Sequence, residues 1–189
     1  VHCIRYFVWD DFITKDEAKA TLAEIHLLNH AGQFKNAQIG KISSEQNQVR
    51  TDQTYWFELN QLSPHQAMLF AKFQLLKNDL NANLYLGLWD FEGHYSWYFE
   101  GGYYHQHLDS FQLDDKRILY MVLYINPDWH DSDGGELRIT HDQGIYADIA
   151  PISGRLVCFL SSEVSHEVRI TTKDRFSFAG WWKKNEFKN

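Results

Sequence analysis

Tyr98-Phe-Glu-Gly-Gly-Tyr-Tyr-His-Gln-His107-Leu-Asp109 is the stretch on which the reading of this chain turns. His107 and Asp109 stand two residues apart. In an extended segment a period of two sets both side chains on one face. A third donor, His166, lies much further along in Ser165-His-Glu-Val-Arg169, at the mouth of another β-prone run. Two imidazoles and one carboxylate form a facial set that suits iron(II) and leaves coordination positions open for reactants. Zinc accepts the same donors. His105 shares the nominal face of His107, so only the spacing to Asp109 separates the two. His130 and His141 read as loop residues.

Working outward, short β-prone runs dominate the chain after Asn83. Leu84–Leu88 and Tyr95–Phe99 read as two strands, with Asp90-Phe-Glu-Gly93 as the turn between them. Arg117–Ile125 is a long run stopped by Asn126-Pro127. Asp131-Ser-Asp-Gly-Gly135 reads as a turn. Glu136–Ile139, Gly144–Ile149, Gly154–Leu160, Glu163–Ile170 and Arg175–Trp182 complete the set of strands. Short strands joined by Gly, Pro and Asp turns, with no βα alternation, predict an antiparallel sandwich or barrel.

The first third is different. Tyr6–Trp9 reads as an edge strand. Thr14 and Glu17 form a capping box that opens a helix over 14–30, with Ala18, Leu22, Ile25 and Leu28 on one side and Gly32 as its stop. Ser63-Pro64 opens a second helix over 64–80. Its stripe is Ala67, Phe70, Ala71, Gln74 and Leu75, broadened by Leu69, Phe73, Leu76 and Leu80. Residues 33–54 carry little periodicity and read as a long loop at the rim of a site, with one weak strand near Ala37–Ile42. Tyr55-Trp-Phe57 reads as strand or strand end. The expectation is one domain over 1–189: helical support at about 14–80 bracing a β core at about 84–182.

Bulk properties narrow the function. The 189 residues carry 16% aromatics, which suits a strand-rich fold with an aromatic-lined interior. A net charge of -7 gives no broad cationic footprint, so nucleic acid is not an expected partner. Cys3 and Cys158 read as unpaired thiols. No apolar run approaches the ~20 residues of a membrane span, and no basic-then-apolar leader opens the chain, so no membrane partner and a cytoplasmic location are expected. Arg175, which opens the last strand, has the planar fork that suits a carboxylate if turned inward. Val168 and Trp181 are in phase with His166 and Arg175 and so face the same interior. Tyr98, Tyr104 and Tyr124 offer hydroxyls that want partners in a core.

Taken together, these blocks resemble the prolyl-4-hydroxylase-like branch of the iron(II)- and 2-oxoglutarate-dependent dioxygenases, notably the bacterial relatives of the oxygen-sensing prolyl hydroxylases. The resemblance spans about residues 84–182. It rests on the opening stretch, on Arg117-Ile-Leu-Tyr-Met-Val-Leu-Tyr-Ile-Asn-Pro-Asp-Trp129, Gly134-Gly-Glu-Leu-Arg-Ile139 and Ser165-His-Glu-Val168, and on Arg175-Phe-Ser-Phe-Ala-Gly-Trp181. It implies a mainly β fold with bracing helices, a double-stranded β-helix (jelly roll, cupin-like). It also implies iron(II) on His107, Asp109 and His166, with 2-oxoglutarate as cosubstrate and ascorbate as accessory reductant. Arg175 and Tyr124 match the residues that hold the far carboxylate. Tyr98, Tyr104, Leu137, Val168 and Trp181 match the cosubstrate wall. Tyr120 departs from the small threonine of the oxygen-sensing relatives, and Arg50-Thr51-Asp52 resembles their Arg-Gly-Asp-like stretch near the substrate entrance. The implied partners are dioxygen and a protein or peptide carrying a prolyl residue. The rivals are another residue or a small molecule as substrate, a non-catalytic jelly-roll binder, and a zinc-dependent cupin.

Overall fold

The computed structural model describes residues 6–37, 49–109, 116–140 and 144–185. The chain runs β1 (Tyr6–Trp9), α1 (Lys15–His30), β2 (Lys35–Asn36), β3 (Gln53–Trp56), α2 (Pro64–Leu84), β4 (Leu88–Tyr98) and β5 (Tyr104–His107). It continues through β6 (Arg117–Tyr124), β7 (Leu137–Thr140), β8 (Tyr146–Ile149), β9 (Leu156–Leu160), β10 (Ser165–Val168) and β11 (Arg175–Lys184). The strands form two antiparallel sheets: β1-β9-β6-β11-β4-β3-β2 and β5-β10-β7-β8. This is the expected jelly roll with bracing helices. Among the described residues no helix is long and apolar enough to cross a membrane. Cys158 is a buried free thiol; Cys3 lies outside the described residues.

The large sheet has two working faces. One packs on the helices through an aromatic core in which Phe73 stacks on Phe178 at 4.7 Å and Trp182 meets Phe91 at 4.7 Å. The other looks across to the small sheet and carries a second cluster that includes Tyr120, Val122, Phe159 and Trp181. Both helices begin as their sequences dictate. Thr14 and Ser63 each accept from the backbone N–H three residues on, with Glu17 and Gln66 reaching back in full capping boxes. Gln66 also donates to buried Glu24 of α1, which accepts from the Ser63 hydroxyl as well, so one carboxylate joins the two helices.

Several expectations need correction. On α2 the buried residues are Gln66, Leu69, Phe73 and Leu76, while Ala67, Ala71 and Leu75 are exposed. The helix is apolar on more than one side, and packing against Phe91 and Phe178 selects the face. On α1, Thr21 and Glu24 are buried where Leu22 and Leu28 are only partly so. The helix α2 also runs on to Leu84, where Tyr85 in a left-handed conformation (φ 54°) ends it, so Leu84–Leu88 is not a strand. Nor is Asp90-Phe-Glu-Gly93 a turn: β4 passes straight through it, paired with β11 from Tyr98↔Arg175 to Asp90↔Lys183. Gly93 is there for space. A Cβ on it would sit 2.4 Å from the Phe178 ring, which fills the slot that Gly93 shares with its partner Gly180. The strand near Trp56 starts at Gln53, earlier than expected, and Ala37 lies outside any strand. The rest of the weak strand proposed near Ala37–Ile42, and His141, lie outside the described residues.

Candidate active site

The small sheet carries the metal donors. β10 pairs with β5 through His166↔His107 and then Val168↔Tyr104, so three residues of β5 span what two span on β10. That bulge resets the alternation. Tyr104 and His107 therefore both face the interior, and His105, in phase on paper, points out against Tyr103. The outer edge of β5 is covered by residues 49–51, where the His105 N–H donates to the Val49 carbonyl.

His107, Asp109 and His166 offer one ligand atom each, all within 4.8 Å of one another. The His107 Nδ1–H donates to the His105 carbonyl at 2.8 Å, and the His166 Nδ1–H to the Val164 carbonyl at 3.1 Å. A carbonyl can only accept, so both Nε2 atoms carry lone pairs. Those lone pairs face Asp109: His107 Nε2 is 3.7 Å from Oδ1 and His166 Nε2 3.7 Å from Oδ2. Burial holds both imidazoles down at about 4, against a carboxyl that burial raises. Asp109 Oδ2 is buried with no hydrogen-bond partner. Two lone pairs set against an unpartnered buried carboxylate repel one another unless a cation lies between them. Metal–ligand bonds of about 2.1 Å place facial donors about 3 Å apart, within small side-chain rotations of this set. The residues fit a divalent metal such as iron(II).

The large sheet faces this triad with a polar row. Arg175 is 1% exposed, donates from Nε to the Gly135 carbonyl at 2.8 Å, and lies over the rings of Tyr98 at 5.2 Å and Tyr124 at 5.0 Å. Among the described residues no carboxylate pairs with it. Gly135 allows that approach: its φ is +66° and a Cβ would meet Arg175 Cδ at 3.0 Å. The Tyr124 hydroxyl is buried without a partner, and burial pushes it up to about 12, so it stays a donor. A buried cation beside an unused donor is arranged for an anion.

A cavity of about 780 Å³ joins the two walls. Tyr98, Tyr104, Leu137, Val168, Arg175 and Trp181 line it with the triad; Tyr124 lies outside the lining, beneath the guanidinium of Arg175. Tyr104 stacks on His107 at 3.6 Å and is itself covered by Arg50 at 4.4 Å. Arg50 is held by a two-point pair with Asp52 (2.7 and 2.6 Å), which outweighs burial and keeps its pKa raised. Reading the sequence did not single out Trp56, His94 or Arg117, which also line the cavity. His94 sits on the same face of β4 as Tyr98. A turn expected at 90–93 leaves His94 off the strand, whereas β4 is continuous through it.

Residues 93–183 match the sequence profile described as the 2OG-Fe(II) oxygenase superfamily. A prolyl-4-hydroxylase from Pseudomonas putida is 34% identical, with a TM-score of 0.86 over 96% of this chain and 93% of that one. The chain belongs to the 2OG-Fe(II) oxygenase superfamily. Its fold is prolyl-4-hydroxylase-like and its facial triad is His107, Asp109 and His166. The fold also matches a Trichoplax adhaerens prolyl hydroxylase in complex with a hypoxia inducible factor peptide fragment, at 22% identity, TM-score 0.86 and 95% and 83% coverage. A Caenorhabditis elegans hypoxia-inducible factor prolyl hydroxylase is 26% identical over 204 residues, covering 96% of this chain; the chain spans only 27% of that protein. This oxygenase is thus a metal-dependent enzyme that uses iron(II) and 2-oxoglutarate.

Proposed function

We propose that this oxygenase hydroxylates a prolyl residue of a protein or peptide, with release of succinate and carbon dioxide. Its own residues divide the work. His107, Asp109 and His166 would hold iron(II), each through one ligand atom. Arg175 receives the far carboxylate of 2-oxoglutarate, and the Tyr124 hydroxyl donates to the same group. Tyr98, Tyr104, Leu137, Val168 and Trp181 form the cosubstrate wall and keep water from the metal. When bound, iron(II) with 2-oxoglutarate and dioxygen supplies the oxidising power to place a hydroxyl on an unactivated C–H bond.

The observation that carries the substrate reading is the size and reach of the cavity. At about 780 Å³ it lies in the upper part of the range, roughly 300–1,000 Å³, of pockets that bury a drug-sized ligand. A five-carbon diacid leaves most of it empty. Its lining also takes in Arg117 and the exposed Lys35, Asn36 and Trp56, which suits a chain lying across the mouth. The peptide in the Trichoplax structure and the likeness to the Pseudomonas enzyme support the same substrate class.

The test is an incubation of the iron-loaded enzyme with 2-oxoglutarate, ascorbate and an array of proline-containing peptides. Expected are succinate formation and a gain of one oxygen atom that fragmentation mass spectrometry localises to proline. Oxygen on another residue, or turnover only with free small molecules, contradicts the proposal. Omitting ascorbate is expected to shorten the linear phase.

A further inference from the structure

We propose that Tyr120 contacts the cosubstrate directly: its hydroxyl donates to an oxygen at the metal-binding end of the bound 2-oxo acid, and its ring sets the width of the channel there. This rests on the reading that 2-oxoglutarate spans Arg175 and the triad.

The placement follows from register. On the inward face of the large sheet, Tyr124, Val122 and Tyr120 of β6 pair in turn with Ser177, Ala179 and Trp181 of β11. Each step along that face is about 6.7 Å. Tyr124 stands at the anchor end, beneath Arg175. Two steps on, Tyr120 stands at the metal end, its ring 5.3 Å from that of His166. Phe159 at 4.7 Å and Trp181 at 5.4 Å hold it there from either side.

Tyr120 is only 8% exposed, yet it lines the cavity and its hydroxyl makes no hydrogen bond to any described residue. A buried tyrosine hydroxyl normally has a partner. Two buried groups without partners, Asp109 Oδ2 and the Tyr124 hydroxyl, are answered by the metal and the far carboxylate. The ring meanwhile fills space beside His166 that a smaller side chain would leave open.

Anaerobic iron(II)-loaded protein, titrated with 2-oxoglutarate and with pyridine-2,4-dicarboxylate, separates the two roles. The second probe presents its chelating atoms on a rigid ring and is wider at the metal end. Tyr120→Phe keeps the ring and its packing. It is expected to bind 2-oxoglutarate about tenfold more weakly, with a shifted charge-transfer band and an unchanged melting temperature. Tyr120→Thr is expected to improve pyridine-2,4-dicarboxylate binding relative to 2-oxoglutarate by about fivefold or more. Wild-type affinity and band in Tyr120→Phe, or an unchanged ratio in Tyr120→Thr, overturns the inference. Absence of any 2-oxoglutarate band in the wild type instead removes the cosubstrate reading beneath it.

Discussion

Arg175 is buried, cationic and without a carboxylate partner among the described residues, a state that is costly for the free protein and useful for the loaded one. Arg175→Met is therefore expected to weaken 2-oxoglutarate binding about 100-fold, roughly 2.7 kcal/mol, while the melting temperature of the ligand-free protein does not fall. Isothermal titration and a thermal melt check the two halves. His94 makes a second prediction at this scale. It is buried between Trp56 at 4.4 Å and Trp181 at 5.6 Å, and its Nδ1 has no partner. Burial first, then Arg50 and Arg117, hold its pKa well below the ordinary value of 6.5. As pH falls below about 6.5, the unfolded chain takes up a proton that the folded His94 refuses, so stability is lost toward acid. The unfolding free energy of wild type relative to His94→Met should drop by up to about 1.4 kcal/mol per pH unit there, measured by urea denaturation at pH 7.5, 6 and 5. An unchanged difference contradicts it. The triad was legible at this scale because two donors stood two apart with a third on a separate strand. The spacing to Asp109 chose His107 over His105; the alternation along the strand could not, because a β-bulge is a property of the pairing with β10 and leaves no mark on β5 alone.

At the scale of elements, local chemistry announced itself where it is local. The Thr14–Glu17 capping box, the Ser63 cap followed by Pro64, the edge position of β1 and the strand from Arg117 were all read from neighbouring residues. What failed was what depends on partners. Asp90-Phe-Glu-Gly93 has the composition of a turn, but β11 offers it a continuous ladder, and the Phe178 ring needs the missing side chain of Gly93. The buried face of α2 was likewise chosen by the aromatics of the sheet. Gly93→Ala is accordingly expected to destabilise the fold by about 1–3 kcal/mol through overpacking, although alanine is the better residue for an ordinary turn-free backbone. Chemical denaturation checks it; a neutral or stabilising effect means the slot can open and the explanation of β4 is wrong.

Across the whole molecule, the two sheets hold different halves of one chemistry. The small sheet brings the three metal donors together, and the large sheet faces them with the buried cation and the unpartnered Tyr124 hydroxyl. Neither half has a reason to exist without the other. Binding at 100 times the dissociation constant stabilises a protein by about 2.7 kcal/mol, so metal and cosubstrate together should raise the melting temperature of the wild type and leave Asp109→Ala unmoved. The most direct measurement is an anaerobic titration of the protein with iron(II) and 2-oxoglutarate, followed through the visible metal-to-ligand charge-transfer band. The expected result is a saturable band in the wild type that Asp109→Ala abolishes and Arg175→Met shifts to much higher 2-oxoglutarate concentration. A wild type without a band, indistinguishable from Asp109→Ala, would contradict the account.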